Sequence, residues 1–291
     1  MSIEKWLKNN TVSLKGKTVA VTGSTGGLGI ELCRYLAHIG ANLILVDRNF
    51  KRSEAFASSL RKDFGATVSL ITADLEDFLS VKSATELLKT KPIDIFIHNA
   101  GAYSIPRKKC STGYDNVFQI NFVSPYYIIN ELLPNLRKQN GRVVVVGSIA
   151  HNYSRLDEND IDFSNKKASS LVYGNAKRFL MFSLFELFKN ETEATLSVTH
   201  PGIAFTNITA HYPKLIFAII RHPMKIIFMK PKKAALSMLY GCFEDTDYHY
   251  WIGPKLFNVW GYPKKKRLST CKCAESEKIG KIATEIYSKL A

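Results

Sequence analysis

A doubly wound parallel sheet with helices on both faces, a three-layer α/β/α fold, is the class this sequence predicts. Three observations predict it. Short runs of apolar residues recur without polar alternation, as in strands buried on both faces. Each run is followed by a segment with helical spacing, the order a parallel sheet requires. The first run ends in a glycine-rich turn that leads straight into a helix.

The elements run in order. Thr18-Val19-Ala20-Val21 reads as the first strand and Leu28 to His38 as the first helix of the series. Leu43–Val46 is the second strand and Ser53–Lys62 the second helix. Val68–Ile71, then Val81–Leu88, then Ile93–Ile97 continue the alternation. Val143–Val146 is too apolar to be anything but a central strand. Near the end, Ile279, Ile282, Ala283, Ile286 and Leu290 sit at helical spacing, which predicts an amphipathic helix over about 276–290 packed on the body or on a second copy. The chain has 291 residues with no repeat, low-complexity tract or linker, so one continuous domain over 1–291 is expected, its dinucleotide-binding core over about 15–200.

Composition narrows the class. Hydrophobic residues make up 46% and charged residues 22%, which argues against disorder. No apolar run reaches the ~20 residues of a membrane span, and the first residues do not resemble a secretory signal. The five cysteines are odd in number and scattered, as in a reducing compartment. Cys271-Lys272-Cys273 has the wrong spacing for a zinc site, and no metal is expected. A cytoplasmic protein, or one peripheral to a membrane surface, is the expected location. Net charge is +15, and 15 of the 40 basic residues against 6 of the 25 acidic ones lie in 211–291. That excess fits either an anionic partner or simple solubility.

The glycine-rich turn is Thr22-Gly23-Ser24-Thr25-Gly26-Gly27-Leu28-Gly29. Glycines let backbone approach a pyrophosphate, and a helix N-terminus offers unpaired N–H groups to it. The turn lacks the Gly-Lys-Ser/Thr ending of an ATP-type loop. Asp47 ends the second strand, where a carboxylate can accept from the ribose hydroxyls of NAD and repel the 2′-phosphate of NADP. Arg48, the next residue, pulls the other way. Asp47 lies nearer the strand end, so the sequence leans to NAD.

Tyr173 and Lys177 are four apart and share one helix face. A phenol is a poor base at neutral pH, and a nearby ammonium lowers its pKa. Such a tyrosine can exchange a proton with an alcohol or carbonyl oxygen. Ser148, at the end of the fifth strand, opens into the crevice where ligands bind in such sheets and can donate to a substrate oxygen.

These motifs together resemble the short-chain dehydrogenases/reductases. The resemblance rests on the turn at Gly23, Gly27 and Gly29, on Asn99-Ala100-Gly101, on Ser148, on Tyr173-Gly174-Asn175-Ala176-Lys177, and on Pro201-Gly202-Ile203-Ala204-Phe205-Thr206, in that order. It implies a Rossmann fold with Tyr173 as acid/base, Lys177 tuning it and holding the nicotinamide ribose, Ser148 orienting the oxygen, and Asn121 supporting a proton relay. It also implies cofactor contacts at Ser24, Thr25, Leu28, Asp74, Leu75, Asn99, Ala100, Gly101, Pro201, Gly202, Ile203 and Thr206. His98 departs from the family pattern, where many members carry a second asparagine. Ser148 and Tyr173 are 25 apart; with His151 and Tyr173-Gly174 this long spacing resembles the retinol-type branch, which handles hydrophobic alcohols and carbonyls.

The family places a substrate-covering segment after Thr206, here about 207–232. Its apolar pieces, Leu215–Ile220 and Met224–Met229, have three readings: a roof over an apolar substrate, a membrane contact through Lys214, Arg221, Lys225 and Lys230, or a contact between copies. Lys264–Arg267 is read as a solvated charge run; no stacking or groove-reading motif accompanies it, so nucleic acid is not an expected partner. The expectation is an NAD(P)-dependent oxidoreductase acting on an apolar small molecule. The competing class is a non-catalytic dinucleotide sensor or membrane-surface-binding protein on the same fold.

Overall fold

Eight strands form one sheet in the order β3-β2-β1-β4-β5-β6-β7-β8. They are β1 Thr18–Thr22, β2 Asn42–Asp47, β3 Val68–Thr72, β4 Ile95–His98, β5 Arg142–Val146, β6 Thr195–Thr199, β7 Tyr250–Leu256 and β8 Trp260–Arg267. All pairs are parallel except β7 with β8. The computed structural model describes residues 2–203 and 229–291. Thr206 and most of the 207–232 segment, with its three readings, lie outside the described residues.

Side-chain alternation along the strands divides the core in two. Val19, Val21, Leu43, Leu45, Ile95 and Ile97 pack on one face with α1 Ile3–Asn10, α2 Gly27–His38 and α3 Phe50–Phe64. Ala20, Ile44, Phe96, Val143 and Val145 pack on the other with α4 Phe78–Lys89, α6 Ser124–Lys138 and α7 Ser169–Leu187. Both faces are apolar because both are covered, which is why these strands lack the polar alternation of a half-exposed sheet. The short helix α5 Asn116–Phe118 runs through a π turn, Gln119–Val123, into α6. Two short helices, α8 Pro231–Ala234 and α9 Leu236–Gly241, precede β7. The order reverses between β1 and β4, so a crevice opens at the carboxyl ends of those strands.

Three features depart from the sequence reading. Trp6 is buried in α1 and stacks on Tyr262 of β8 at 6.1 Å. Lys264–Arg267, read only as a solvated charge run, is the end of edge strand β8; Lys264 and Arg267 are exposed, while Lys265 pairs with Glu244 and Asp247. The C-terminal helix, α10 Cys273–Leu290, begins earlier than expected and packs on α7 of its own chain.

That contact is locked by a buried ion pair. Arg178, with its side chain only 1% exposed, donates through Nε to Glu275 Oε1 at 2.6 Å, through Nη2 to Glu275 Oε2, and through Nη1 to His151 O at 3.0 Å. Burial pushes the Glu275 carboxyl up, but the bonds and charge of Arg178 prevail and hold it below its ordinary value of 4.5. A depressed native pKa means the stabilisation is complete above about pH 4.5 and is lost as pH falls through the native value. Glu275→Ala, which strands a buried guanidinium, is expected to cost about 3 kcal/mol in urea unfolding at pH 7. Glu275→Gln is expected to flatten the acid limb of the stability–pH curve.

Candidate active site

The crevice between β1 and β4 is built around the glycine-rich turn. Gly23 has φ +67°, and a Cβ there would lie 2.8 Å from Ala100 Cα. A Cβ on Gly29 would lie 2.2 Å from Gly23 O, so only glycine lets α2 start this close to the turn. Gly26, the residue before α2, has no side-chain cap, which leaves the first N–H groups of α2 available to an anion. Gly27 and Leu28 line the resulting cavity of about 540 Å³. So do Arg48, Asp74, Leu75, Asn99, Ala100 and Gly101 from the expected set. The glycine cradle and the uncapped helix end suit a dinucleotide phosphate.

Asp47 departs from expectation. The sequence reading has its carboxylate accept from a ribose. In the structure it is 6% exposed and turned back onto the turn. Oδ2 accepts from Ser24 Oγ and from Ser53 Oγ at 3.1 Å; Oδ1 accepts from Thr25 N at 3.3 Å and Thr25 Oγ1 at 3.1 Å. Both oxygens are occupied by protein donors, so the lean to NAD loses its physical basis. Ser24 and Thr25 are correspondingly buried and brace Asp47. The cationic residues on this side of the cavity are Arg48 and Arg52; the latter, with Asn49 and Glu76, was not foreseen from the sequence. Arg52 lies in the first turn of α3, just after the β2 end that carries Asp47 and Arg48, a position that could have revealed it.

Thr22 supports the turn from the other side. Its Oγ1 accepts from Asn99 N and Ala100 N, both at 3.1 Å, and its one hydrogen therefore goes to His98 Nδ1 at 3.0 Å. That makes His98 the Nε2–H tautomer, and burial holds its pKa well below the ordinary range. Asn99 Nδ2 donates to Thr22 O at 3.2 Å and Gly23 O at 2.9 Å. The asparagine thus ties two loops together.

The residues expected at the reacting end, Asn121 and Lys177, lie beside Gly101. A Cβ on Gly101 would sit 2.8 Å from Asn121 Oδ1 and 3.6 Å from Lys177 Nζ. Asn121 belongs to the π turn, in which Ser124 N reaches back five residues to Gln119 O. Its amide donates to Ala102 O and Val117 O, both at 2.8 Å, and accepts from Ala102 N at 3.3 Å. The side chain is therefore committed to backbone, and it holds the 99–102 loop. Lys177 Nζ donates to Val146 O at 2.9 Å and lies 5.8 Å from the Tyr173 ring centroid. Ser148 accepts from Ala150 N at 3.1 Å and hydrogen-bonds Tyr173.

The structure reverses one electrostatic expectation. Lys177 does not lower the Tyr173 pKa here. Burial pushes the phenol up to about 12, offset in part by the Ser148 hydrogen bond. Burial also pulls the Lys177 ammonium down to about 8. Desolvation favours the neutral form of both groups, and it outweighs their attraction at this separation.

Gly174 explains the residue after Tyr173. A Cβ there would lie 2.3 Å from Ala150 O, so α7 approaches the 149–153 turn backbone to backbone. His151 in that turn is buried, with Nδ1 2.5 Å from Ser148 O and Nε2 2.7 Å from Thr270 Oγ1. Tyr103 meets Tyr173 edge-on at 5.3 Å, and Ile105, Leu171, Val117, Phe163 and Val172 cluster beside them. Pro201, Gly202 and Ile203 follow β6 at the same end of the sheet; Gly202 has φ +80° and packs under Val259 O. A second cavity of about 640 Å³, between Arg107 and Lys167, contains none of the expected residues.

Residues 17–158 match the family model described as short chain dehydrogenase. Retinol dehydrogenase 12 of Mus musculus is 31% identical over 204 residues, covering 68% of this chain and 65% of that protein. The chain thus spans just under two thirds of that relative's length. The crystal structure of an uncharacterized protein from Mycobacterium paratuberculosis superposes with a TM-score of 0.75 at 23% identity, covering 97% of this chain and 96% of that one. A short-chain dehydrogenase from Sphingobium yanoikuyae in complex with NADPH gives 0.60 at 22% identity, over 77% and 84%.

Thr22 provides a test of how the turn is held. Thr22→Val keeps the shape but removes the hydroxyl that serves three partners, and is expected to cost about 2 kcal/mol in urea unfolding. Thr22→Ser, which keeps it, is expected to stay within about 1 kcal/mol of the parent.

Proposed function

Because the chain belongs to the short-chain dehydrogenase/reductase family, we propose that it is an NAD(P)-dependent oxidoreductase that interconverts an apolar alcohol and its carbonyl. The observation that supports this is the grouping of Tyr173, Lys177 and Ser148 beside Gly101 and Tyr103, two residues that line the glycine-turn cavity. When bound, the nicotinamide supplies or accepts the hydride. Tyr173 Oη holds the proton that passes to or from the substrate oxygen, and Ser148 Oγ donates to that oxygen. Lys177, anchored on Val146 O, places its charge beside the phenol and offers its remaining donors to the ribose. Asn121 acts through position, keeping Gly101 and Ala102 in line with Lys177. The aromatic and aliphatic wall of Tyr103, Ile105 and Leu171 excludes water and suits an apolar substrate.

The cofactor reading shifts to NADP(H). Asp47 is satisfied internally, while Arg48 and Arg52 stand at the cavity edge where a 2′-phosphate would meet them.

Tyr173→Phe is expected to lower turnover by about 10²–10⁴-fold while leaving NADPH affinity within about threefold. Undiminished turnover would refute the acid/base role. In nicotinamide fluorescence titrations, Arg48→Ala is expected to weaken NADPH at least about tenfold and leave NADH unchanged. Asp47→Ala is expected to lower thermal stability and weaken both cofactors alike; selective loss of NADH would restore Asp47 as the ribose acceptor.

A further inference from the structure

The β7–β8 hairpin turns at Phe257 and Asn258. Val259 N closes the turn on Leu256 O at 2.9 Å, and the two central residues have φ of +50° and +59°. Two-residue turns with both φ positive favour Asn-Gly, and a bulky side chain in the first position is an outlier that costs backbone energy. The surroundings hold it there. Lys266 Nζ donates to Asn258 Oδ1 at 2.7 Å and Pro254 O at 2.6 Å. His200 Nε2–H donates to Asn258 O at 3.1 Å, and the His200 ring stacks on Trp251 at 5.0 Å. The result of this strain is a phenyl ring 87% exposed, with Leu256 53% exposed beside it. A conformation maintained at a cost, and which buries nothing in its own chain, points to an external surface.

Charge identifies that surface. Residues 250–267 contain Lys255, Lys264, Lys265, Lys266 and Arg267 and no acidic residue. Lys255, Lys264 and Arg267 are exposed and form no ion pair among the described residues. We propose that this tip is a peripheral membrane anchor: Phe257 and Leu256 enter the headgroup region of an anionic bilayer while Lys255 and Lys264 meet its phosphates. A second copy is a poorer occupant, because a two-fold contact through this tip would bring two all-basic hairpins together. The tip is tied to the end of β6 through His200, and Gly202 packs under Val259 O. Docking therefore brings His200 and Gly202, at the end of β6, toward the bilayer and, given the oxidoreductase reading above, sets the carboxyl end of the sheet near a source of apolar substrate.

The full chain is sedimented with phosphatidylcholine vesicles, with and without about one third phosphatidylserine, at about 0.15 M and higher salt. The wild type is expected to pellet only with phosphatidylserine, and less as salt rises. Phe257→Gly suits the positive φ, so it should fold, and is expected to weaken vesicle binding about tenfold or more. Lys255→Glu with Lys264→Glu is expected to remove the salt-sensitive part. The anchor is overturned if the wild type ignores anionic vesicles or if Phe257→Gly pellets like the wild type. It is also overturned if Phe257→Gly changes the sedimentation coefficient in solution, which would make the tip a contact between copies. NADPH titration of the same variants is expected to match the wild type; loss of NADPH binding in the wild type itself would instead count against the enzymatic reading.

Discussion

A buried carboxylate can remain in a protein interior only if its oxygens are supplied with donors. Asp47 meets that condition through Ser24 and Thr25 of the glycine-rich turn and Ser53 of α3. The turn therefore cannot open without exposing an unsatisfied charge, and its fixed shape constrains the residues around it. Gly23 and Gly29 become positions where a Cβ would strike backbone. Thr22 repeats the device with a hydroxyl, joining the end of β1 to His98, Asn99 and Ala100. The next residue, Gly101, faces Asn121 and Lys177. A chain of hydrogen-bonded polar groups thus runs from Asp47 through Thr22 and Asn99 to the neighbourhood of Asn121 and Lys177.

At that end, burial is the dominant electrostatic influence. It raises the phenol of Tyr173 to about 12 and lowers the ammonium of Lys177 to about 8, so at neutral pH the phenol keeps its proton and the lysine keeps most of its charge.

Helix α7 connects this chemistry to the rest of the chain. Tyr173 and Lys177 face the site, while Arg178, the adjacent residue, points away to Glu275 and His151 O. Its guanidinium also lies over Phe182 at 4.5 Å. One helix is thus clamped by α10 on one face while it presents Tyr173 and Lys177 on another. On the far side of the sheet's end, His200 links β6 to a hairpin tip that carries an exposed ring.

Much of this was legible in local pattern. The apolar runs of β1, β2 and β5, the glycine turn, the Tyr173–Lys177 spacing and the periodicity of α10 each depend on residues near one another in the chain. Local stereochemistry and burial on both faces determine them, so the sequence by itself determined the fold class and put Tyr173 and Lys177 on one helix face. Tertiary structure alone decided where the lone pairs of Asp47 are spent, because Ser24, Thr25 and Ser53 compete with any ligand only once β1, β2 and α3 are side by side. It also decided that Lys264–Arg267 forms an edge strand, since pairing with β7 is a long-range choice and an edge strand tolerates charge as readily as a loop does. Hydrogen-bond allocation and strand pairing are properties of neighbours in space, and those neighbours are set by the packing of the whole sheet.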